Sequence, residues 1–453
     1  MSDIYWRGGA APVSQVTTLT FGSTWAALDT YSFKIGAKQL LLTIGTDATV
    51  ATIATQFFKA FNASAASDGD LGAAYIRSSG GQQIPEFLGI VATNPSAGVV
   101  VLTGLPGVPF TFTSLATTVG TGDTTTVTGL AATGPNHMDN AANWLGGVLP
   151  STGDRMVFDQ GQVDALYGLT YFRTNSIEHD MRIFGNWRGQ LGLAAVNPAG
   201  YPEYRDRFYR WQTGPNVLEI LPSTDGYTDQ KPVFIDLQGC PGSTVRVLAG
   251  RGDVTSPNVN FIGGDASTGL VSFQVEKGNV YVEPPESTAT NKFFADSISI
   301  GIPGGTAGDC TVFFGRSART EEATTFVQYS GRAYSAAVMI NGADECPIDI
   351  RGGEFHSEMR NYGSSPALQD VTIRPGATLF LSGEGTIENI DNGGTLDLRN
   401  GNGSFAIVGY LTLNRGCSVY DPGGRGVKKL KFAPTCSIQD CTIQTGPGLN
   451  WAA

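Results

Sequence analysis

The residues best equipped for chemistry in this sequence are charged side chains set two apart. Asp349 precedes Arg351, and Glu354, His356 and Glu358 follow at the same spacing. Residues two apart on an extended strand share a face, so each set is expected on one outer surface. Glu384, Glu388 and Asp391 form a third acidic group close to glycine-rich turns. Cleavage of a glycosidic bond needs two carboxyl groups across a cleft, about 5 to 9.5 Å apart. Rows of Trp and Tyr for sugar stacking are expected beside such a cleft, and no dense cluster of them accompanies these acids. The acids therefore read as solvated faces, and no catalytic residue is assigned.

The densest aromatic and charged run is Gly200 to Trp211. Tyr, Trp and Arg dominate interface hot spots, which makes Tyr201, Tyr204, Arg205 and Trp211 candidate partner contacts. The structural alternative is one long rung, with Arg and Glu pairing across neighbouring coils and the rings packed beneath. Tyr5 and Trp6 stand beside Arg7 and the segment Gly8-Gly9-Ala10-Ala11-Pro12, whose composition supports no regular element. Residues 1–14 are expected to be an arm whose two aromatics either anchor a partner or fold back on the chain. Arg251-Gly252-Asp253 spells an adhesion tripeptide but reads as a turn. Arg425, Lys428, Lys429 and Lys431 make a basic cluster, expected to be a strand with one charged face that blocks edge pairing or meets an acidic partner.

The six cysteines, Cys240, Cys310, Cys346, Cys417, Cys436 and Cys441, form no CxxC pair, and the three histidines lie apart from them. Zinc sites rest on such spacing, so the thiols read as small apolar residues, and neither a metal nor a cofactor is expected. P-loop, HExxH and calcium-repeat patterns are missing. A formal net charge of −11 argues against coating nucleic acid. Met1 to Trp6 shows no basic region leading into an apolar core, so no secretory signal is expected. No apolar run reaches about 18 residues, so no membrane insertion is expected.

The elements that must position these residues are mainly strands. Residues 15–135 read as a small α+β domain. Val16 to Phe21, Tyr31 to Ile35 and Leu40 to Ile44 alternate as half-buried strands. One helix follows, with Val50, Ile53, Ala54, Phe57 and Phe61 on one face and Thr46 or Asp47 as its cap. Further strands are expected over 87–92, 99–103 and 110–113, giving one helix across an antiparallel sheet. From residue 136 to 453, short apolar strands separated by Gly, Asn, Asp or Pro predict a right-handed parallel β-helix, with β-sandwich domains as the alternative. Pairs such as Leu379/Leu381, Leu396/Leu398 and Leu411/Leu413 recur every 15 to 17 residues or so. Earlier pairs, such as Val280/Val282 and Val312/Phe314, are looser.

Two stretches carry a resemblance. Asn143-Trp144-Leu145-Gly146-Gly147, then Pro150, Gly153-Asp154 and Val157-Phe158, resemble the opening of β-helical repeats in autotransporter-like passengers. There Trp144 is expected to plug the first coil, making 143–158 a cap. The N-terminal run "IYWRGGAAPVSQV", with "ATVATIATQFFKAFNAS", "IPEFLGIVAT" and "GVPFTFTS", resembles uncharacterised proteins of tailed bacteriophages, prophages and planctomycete genomes. Those combine the same small domain with a β-helix. The resemblance implies a non-enzymatic virion structural protein, decorating a capsid or projecting from a surface, anchored by its N-terminal region. Other virion proteins would be its partners, with a homotrimer and contact with host surface glycan as further expectations. A tail fibre or tailspike that binds or cleaves host polysaccharide, and a bacterial surface adhesin, are the alternatives. The C-terminus lacks the alternating aromatic-girdled strands of a membrane barrel, which favours the virion reading over secretion.

Overall fold

The computed structural model describes the chain except residues 36–37, 47, 63–75, 78–86, 88, 118–121, 194–206, 212–215, 238–241, 253–257, 263–270, 284–292, 315–319, 322–324, 336–346, 360–367, 384, 400–404, 408, 424–426, 428, 447–449 and 452–453. The protein is mainly β, a parallel β-solenoid joined to a small N-terminal domain. Two parallel sheets, of 16 and 11 strands among the described residues, form the solenoid walls. From Tyr209 onward the chain alternates between them, giving one strand to each sheet per coil except where Thr320–Glu321 and Phe405–Ile407 each add a second strand to the larger one. Parallel pairing throughout excludes the sandwich alternative, whose strands are antiparallel.

Side chains of equal register stack from coil to coil. In the larger sheet Ile4 pairs with Met156, and the column continues through Met181, Leu218, Val245, Phe273, Ile298, Phe326, Ile348, Val371, Ile390, Leu411 and Leu430. In the smaller sheet Val233, Val259, Val280, Val312, Ala333, Phe355, Leu379, Leu396 and Val419 do the same. All of these from Met156 onward are buried, and each such Val, Leu, Ile or Phe stabilises the fold by about 1.5–3 kcal/mol. Two polar residues enter a neighbouring inward column and serve the corners. Gln328 donates to the carbonyls of Gly331 and Glu354 at 3.1 and 3.0 Å, and Asn392 to that of Ser418 at 3.0 Å.

The repeat differs from the 15-to-17-residue step. Leu379 and Leu396 are rung neighbours in the smaller sheet, whereas Leu411 lies in the larger one against Ile390 and Leu430. That step therefore mixed two walls; same-wall neighbours are mostly about 20 to 28 residues apart. The coils before Val271 continue the same columns without interruption back to Arg155–Phe158.

Of the two outcomes expected for residues 1–14, the structure shows folding back on the chain, and it does so through a regular strand. Asp3–Tyr5 is the outermost strand of the larger sheet, parallel to Arg155–Phe158. Trp6 is 1 % exposed, packs edge-on against Trp144 at 5.2 Å and donates from Nε1 to the Val163 carbonyl at 3.1 Å. A ring of that size stays dry under the first coil because its one polar atom is satisfied there. The small domain is thus inserted between the first strand and the rest of the solenoid. Its entry and exit run side by side, with Val13 bridged to Thr133. Asn143, fully buried, ties both together: Oδ1 accepts from Ala10 N at 2.8 Å, and Nδ2 donates to the carbonyls of Gly134 and His137 at 2.7 Å each. Trp144 covers the first coil against Trp6, Phe158 and Phe172, and Gly146, Gly147 and Gly153 adopt the positive φ of the turns that follow.

Among the described residues the inserted domain has two four-stranded antiparallel sheets rather than one. Val91–Ser96, Val99–Pro106, Ser14–Gly22 and Asp123–Leu130 form the first; Ile76–Arg77, Lys38–Thr43, Thr30–Ile35 and Thr113–Thr117 form the second. Helix α1, Val50–Phe61, buries Ile53, Ala54, Phe57, Ala60 and Phe61 in a core that both sheets share. Its cap is Thr49, in a reciprocal box with Thr52, rather than Thr46 or Asp47; Asp47 lies outside the described residues.

Candidate functional site

The outer faces of the solenoid walls carry the polar chemistry. On the larger sheet, Asp349, Thr372, Asp391, Thr412 and Lys431 form one outward column over successive rungs. Asp370 pairs with Asn389 beside it, and the Asn389 amide donates to Asp370 at 3.0 Å. The Asn414 amide donates to Asp391. All of these except Asp349 line an open groove of about 600 Å³ that continues past Phe432 to Pro434. A second hollow of about 250 Å³ adjoins it, sharing Thr372, Asp391 and Asn414 and adding Arg374 and Arg415. Rungs lie about 4.8 Å apart, so the groove offers a hydroxyl, amide or carboxylate at each step. That pattern suits hydrogen bonding to an extended polyhydroxylated chain.

The acids singled out from sequence are held by arginines. Asp349 accepts from Arg351 at 2.8 Å and from Arg374 at 2.9 Å, and these two hold its carboxyl below the usual carboxylate range against the opposing effect of burial. Glu354 accepts from Arg332 at 2.9 Å and lies 3.3 Å from His356 Nε2, with its pKa likewise lowered against burial. Carboxyls so held stay ionised and are poor proton donors. Of the third acidic group only Asp391 lines the groove; Glu388 is exposed elsewhere, Glu384 lies outside the described residues, and so does the Glu358 side chain.

An aromatic row does accompany Glu354, contrary to the sequence expectation. Tyr281, Phe313, Tyr334, His356 and Phe380 occupy equal register on the outer face of the smaller sheet. Phe313 lies over Tyr334 at 5.1 Å and 11°, Tyr334 over His356 at 4.6 Å and 15°, and His356 over Phe380 at 4.3 Å and 7°. From Phe313 to Phe380 the rings cover one another's faces, whereas Tyr281 is tilted by 40° at 6.5 Å from Phe313. Sugar stacking needs a free face, so the row serves rung-to-rung cohesion. Its signal lay in the sequence: each ring sits between two inward residues, as in Val280-Tyr281-Val282 and Leu379-Phe380-Leu381. The inward pair marks the strand, and the residue between its members faces outward.

The partner-contact candidates separate. Tyr5 is half-buried in the first rung, with the Arg7 guanidinium 5.2 Å from its ring. Trp6 and Trp211 are core residues and cannot serve as exposed contacts; Trp211 Nε1 donates to the His179 carbonyl at 3.1 Å. Tyr201, Tyr204 and Arg205 lie outside the described residues. Arg251 is also buried, so the first residue of the tripeptide is not offered at the surface; Asp253 lies outside the described residues. The Arg251 guanidinium donates to the carbonyls of Phe184, Trp187, Gly189 and Lys231 at 2.9–3.3 Å, binding three coils together. In the basic cluster, Lys429 and Lys431 stand 5.7 and 4.7 Å from the Tyr410 ring, and Arg425 and Lys428 fall outside the described residues.

Among the described residues no group of three or more His, Cys, Asp or Glu is arranged to hold a metal, and no helix is long and apolar enough to cross a membrane. Comparison with protein-family models, curated proteins and solved structures found no match for the chain.

Proposed function

We propose that this chain is a non-enzymatic structural protein of a bacteriophage particle, anchored through its inserted N-terminal domain, with the solenoid projecting as a rigid rod. One observation carries the anchoring role. On the first sheet of that domain, Val16, Thr18, Thr20, Val91, Thr93, Val99, Val101, Thr103 and Leu105 alternate with buried residues and are half or fully exposed, and Asp123, Thr125 and Val127 of the solvated edge strand extend the same face. Among these only Asp123, at the margin, is charged. Solvated sheet faces and edges normally carry charge against unwanted pairing, and charge is depleted where interfaces are buried. That face suits other virion proteins, and side-by-side solenoids suit a homotrimer. The arginine-held carboxylates support a structural wall rather than a hydrolytic one.

A second reading, favoured by the polar groove around Asp370 and Asp391, gives the rod wall contact with host surface glycan. One experiment addresses both readings. Purified particles are digested and searched by mass spectrometry, and the isolated chain is incubated with host polysaccharide. The chain is expected in the particles, with Val127→Asp lowering its incorporation while the isolated protein stays folded. Its absence from particles removes the virion role, and release of oligosaccharide removes the non-enzymatic one.

A further inference from the structure

Cys436 and Cys441 lie in the corner that joins Lys429–Phe432 of the larger sheet to Thr442–Thr445 of the smaller one. The corner is built to close on itself. Cys436 N donates to the Ala433 carbonyl at 2.9 Å, and Ser437 then caps the short turn Ile438–Asp440. Asp440 accepts from Ser437 N and Oγ at 2.9 and 2.7 Å. The result sets Cys436 Sγ 3.3 Å from Cys441 Sγ, both thiols half-exposed. A disulfide needs about 2.05 Å, a closure of roughly 1 Å within one tight turn. Cys310 and Cys417, by contrast, are buried.

We propose that Cys436 and Cys441 are a disulfide site that closes this corner of the last described coil when the chain meets an oxidant. The inference is independent of any functional reading. The strand that follows, Thr442–Thr445, has no fully buried residue, so it gains most from a covalent restraint on its entry. With oxidised glutathione the step balances. One cysteine thiolate attacks the glutathione disulfide and expels a glutathione thiolate. The second cysteine thiolate then attacks the protein sulfur of the mixed disulfide and expels another. Two cysteine protons and two electrons end on two glutathione molecules.

The surroundings set the rate. Burial, Cys441 and Asp440 push the Cys436 thiol up to about 11 with Arg415 opposing, and Cys441 is raised by burial and by Cys417 and Asp440. Both thiols are mainly protonated at neutral pH, so closure speeds up as pH rises. Cys417 interacts with the Cys441 thiol and is the competing partner.

The test uses the full chain, equilibrated with reduced and oxidised glutathione, alkylated, and cleaved before Asp440. In oxidising mixtures the fragments on either side of the Gln439–Asp440 bond should remain joined until reduced, with two alkylation sites lost. Cys417→Ser should keep that link, and Cys436→Ser should abolish it. Alkylation of both thiols under oxidising conditions, or a link from Cys441 to Cys417 instead, overturns the proposal.

Discussion

His179 shows what a single residue contributes in this fold. It is 1 % exposed, and burial lowers its pKa from 6.5 to about 4. Its Nδ1 faces the Ile177 carbonyl, which only accepts, so Nδ1 carries the proton and Nε2 accepts from the Tyr209 hydroxyl at 2.5 Å. The unfolded chain binds the imidazole proton at higher pH than the folded one does. Stability from this residue is therefore whole above about pH 6.5 and falls by about 3 kcal/mol on going down to about pH 4. Denaturant midpoints measured between pH 7.5 and 5 should fall over that range and flatten in His179→Asn. The arginine-held carboxylates weaken only at lower pH, below their own unfolded range, so a flat wild-type profile would remove the assignment.

At the scale of elements, the corners decide whether two walls can alternate. Gly331 precedes one strand of the smaller sheet and Gly353 opens the next, both at positive φ, 79° and 74°. A β-carbon on Gly353 would overlap the backbone of Gly331 in the coil before it. Gly353→Ala should therefore destabilise by about 1–3 kcal/mol from backbone strain alone, with the overlap adding to it. A denaturant midpoint unchanged from wild type would show that the corner relaxes freely. Strand positions were legible in the sequence because inward residues alternate, as in Val271-Ser272-Phe273-Gln274-Val275. Which wall a strand joins was not legible, since both walls use the same alternation. That is why Leu396 and Leu411 looked like neighbours. The groove escaped notice for a related reason: Asp370, Asp391 and Lys431 come from three strands whose register sequence spacing does not reveal.

For the whole molecule, the first strand decides the topology. Because Asp3–Tyr5 pairs with Arg155–Phe158, the domain core and the solenoid core belong to one continuous path, joined at Asn143. Trp6 is the side chain that locks this arrangement. Trp6→Ala removes a fully buried ring, and comparable truncations cost about 3–5 kcal/mol. The expected outcome is faster unfolding of the N-terminal coils, with increased hydrogen exchange at 155–158 and little change at 411–413. Uniform exchange along the rod would show that the terminal coil is not a separable cap. Distant coils are spared because each coil of a solenoid contacts only its neighbours.

By itself the sequence determined that the chain is mainly β, while parallel pairing between coils, which separates a solenoid from a sandwich, was decided by the tertiary structure. Apolar alternation cut into short lengths by Gly, Asn and Pro leaves no helical period except 50–61, and the place of the cap was implied by the resemblance that Asn143-Trp144 and the glycines after it carry. Local chemistry dictates these features, so they can be read from neighbours along the chain. Only the tertiary structure decided that Trp6 and Trp211 are core, that Arg251 ties three coils together, and that Phe313, Tyr334, His356 and Phe380 spend their faces on one another. Each of these depends on contacts between residues roughly 20 to more than 130 positions apart. Register across coils sets those contacts, and register is a property of the stacked walls rather than of any one strand.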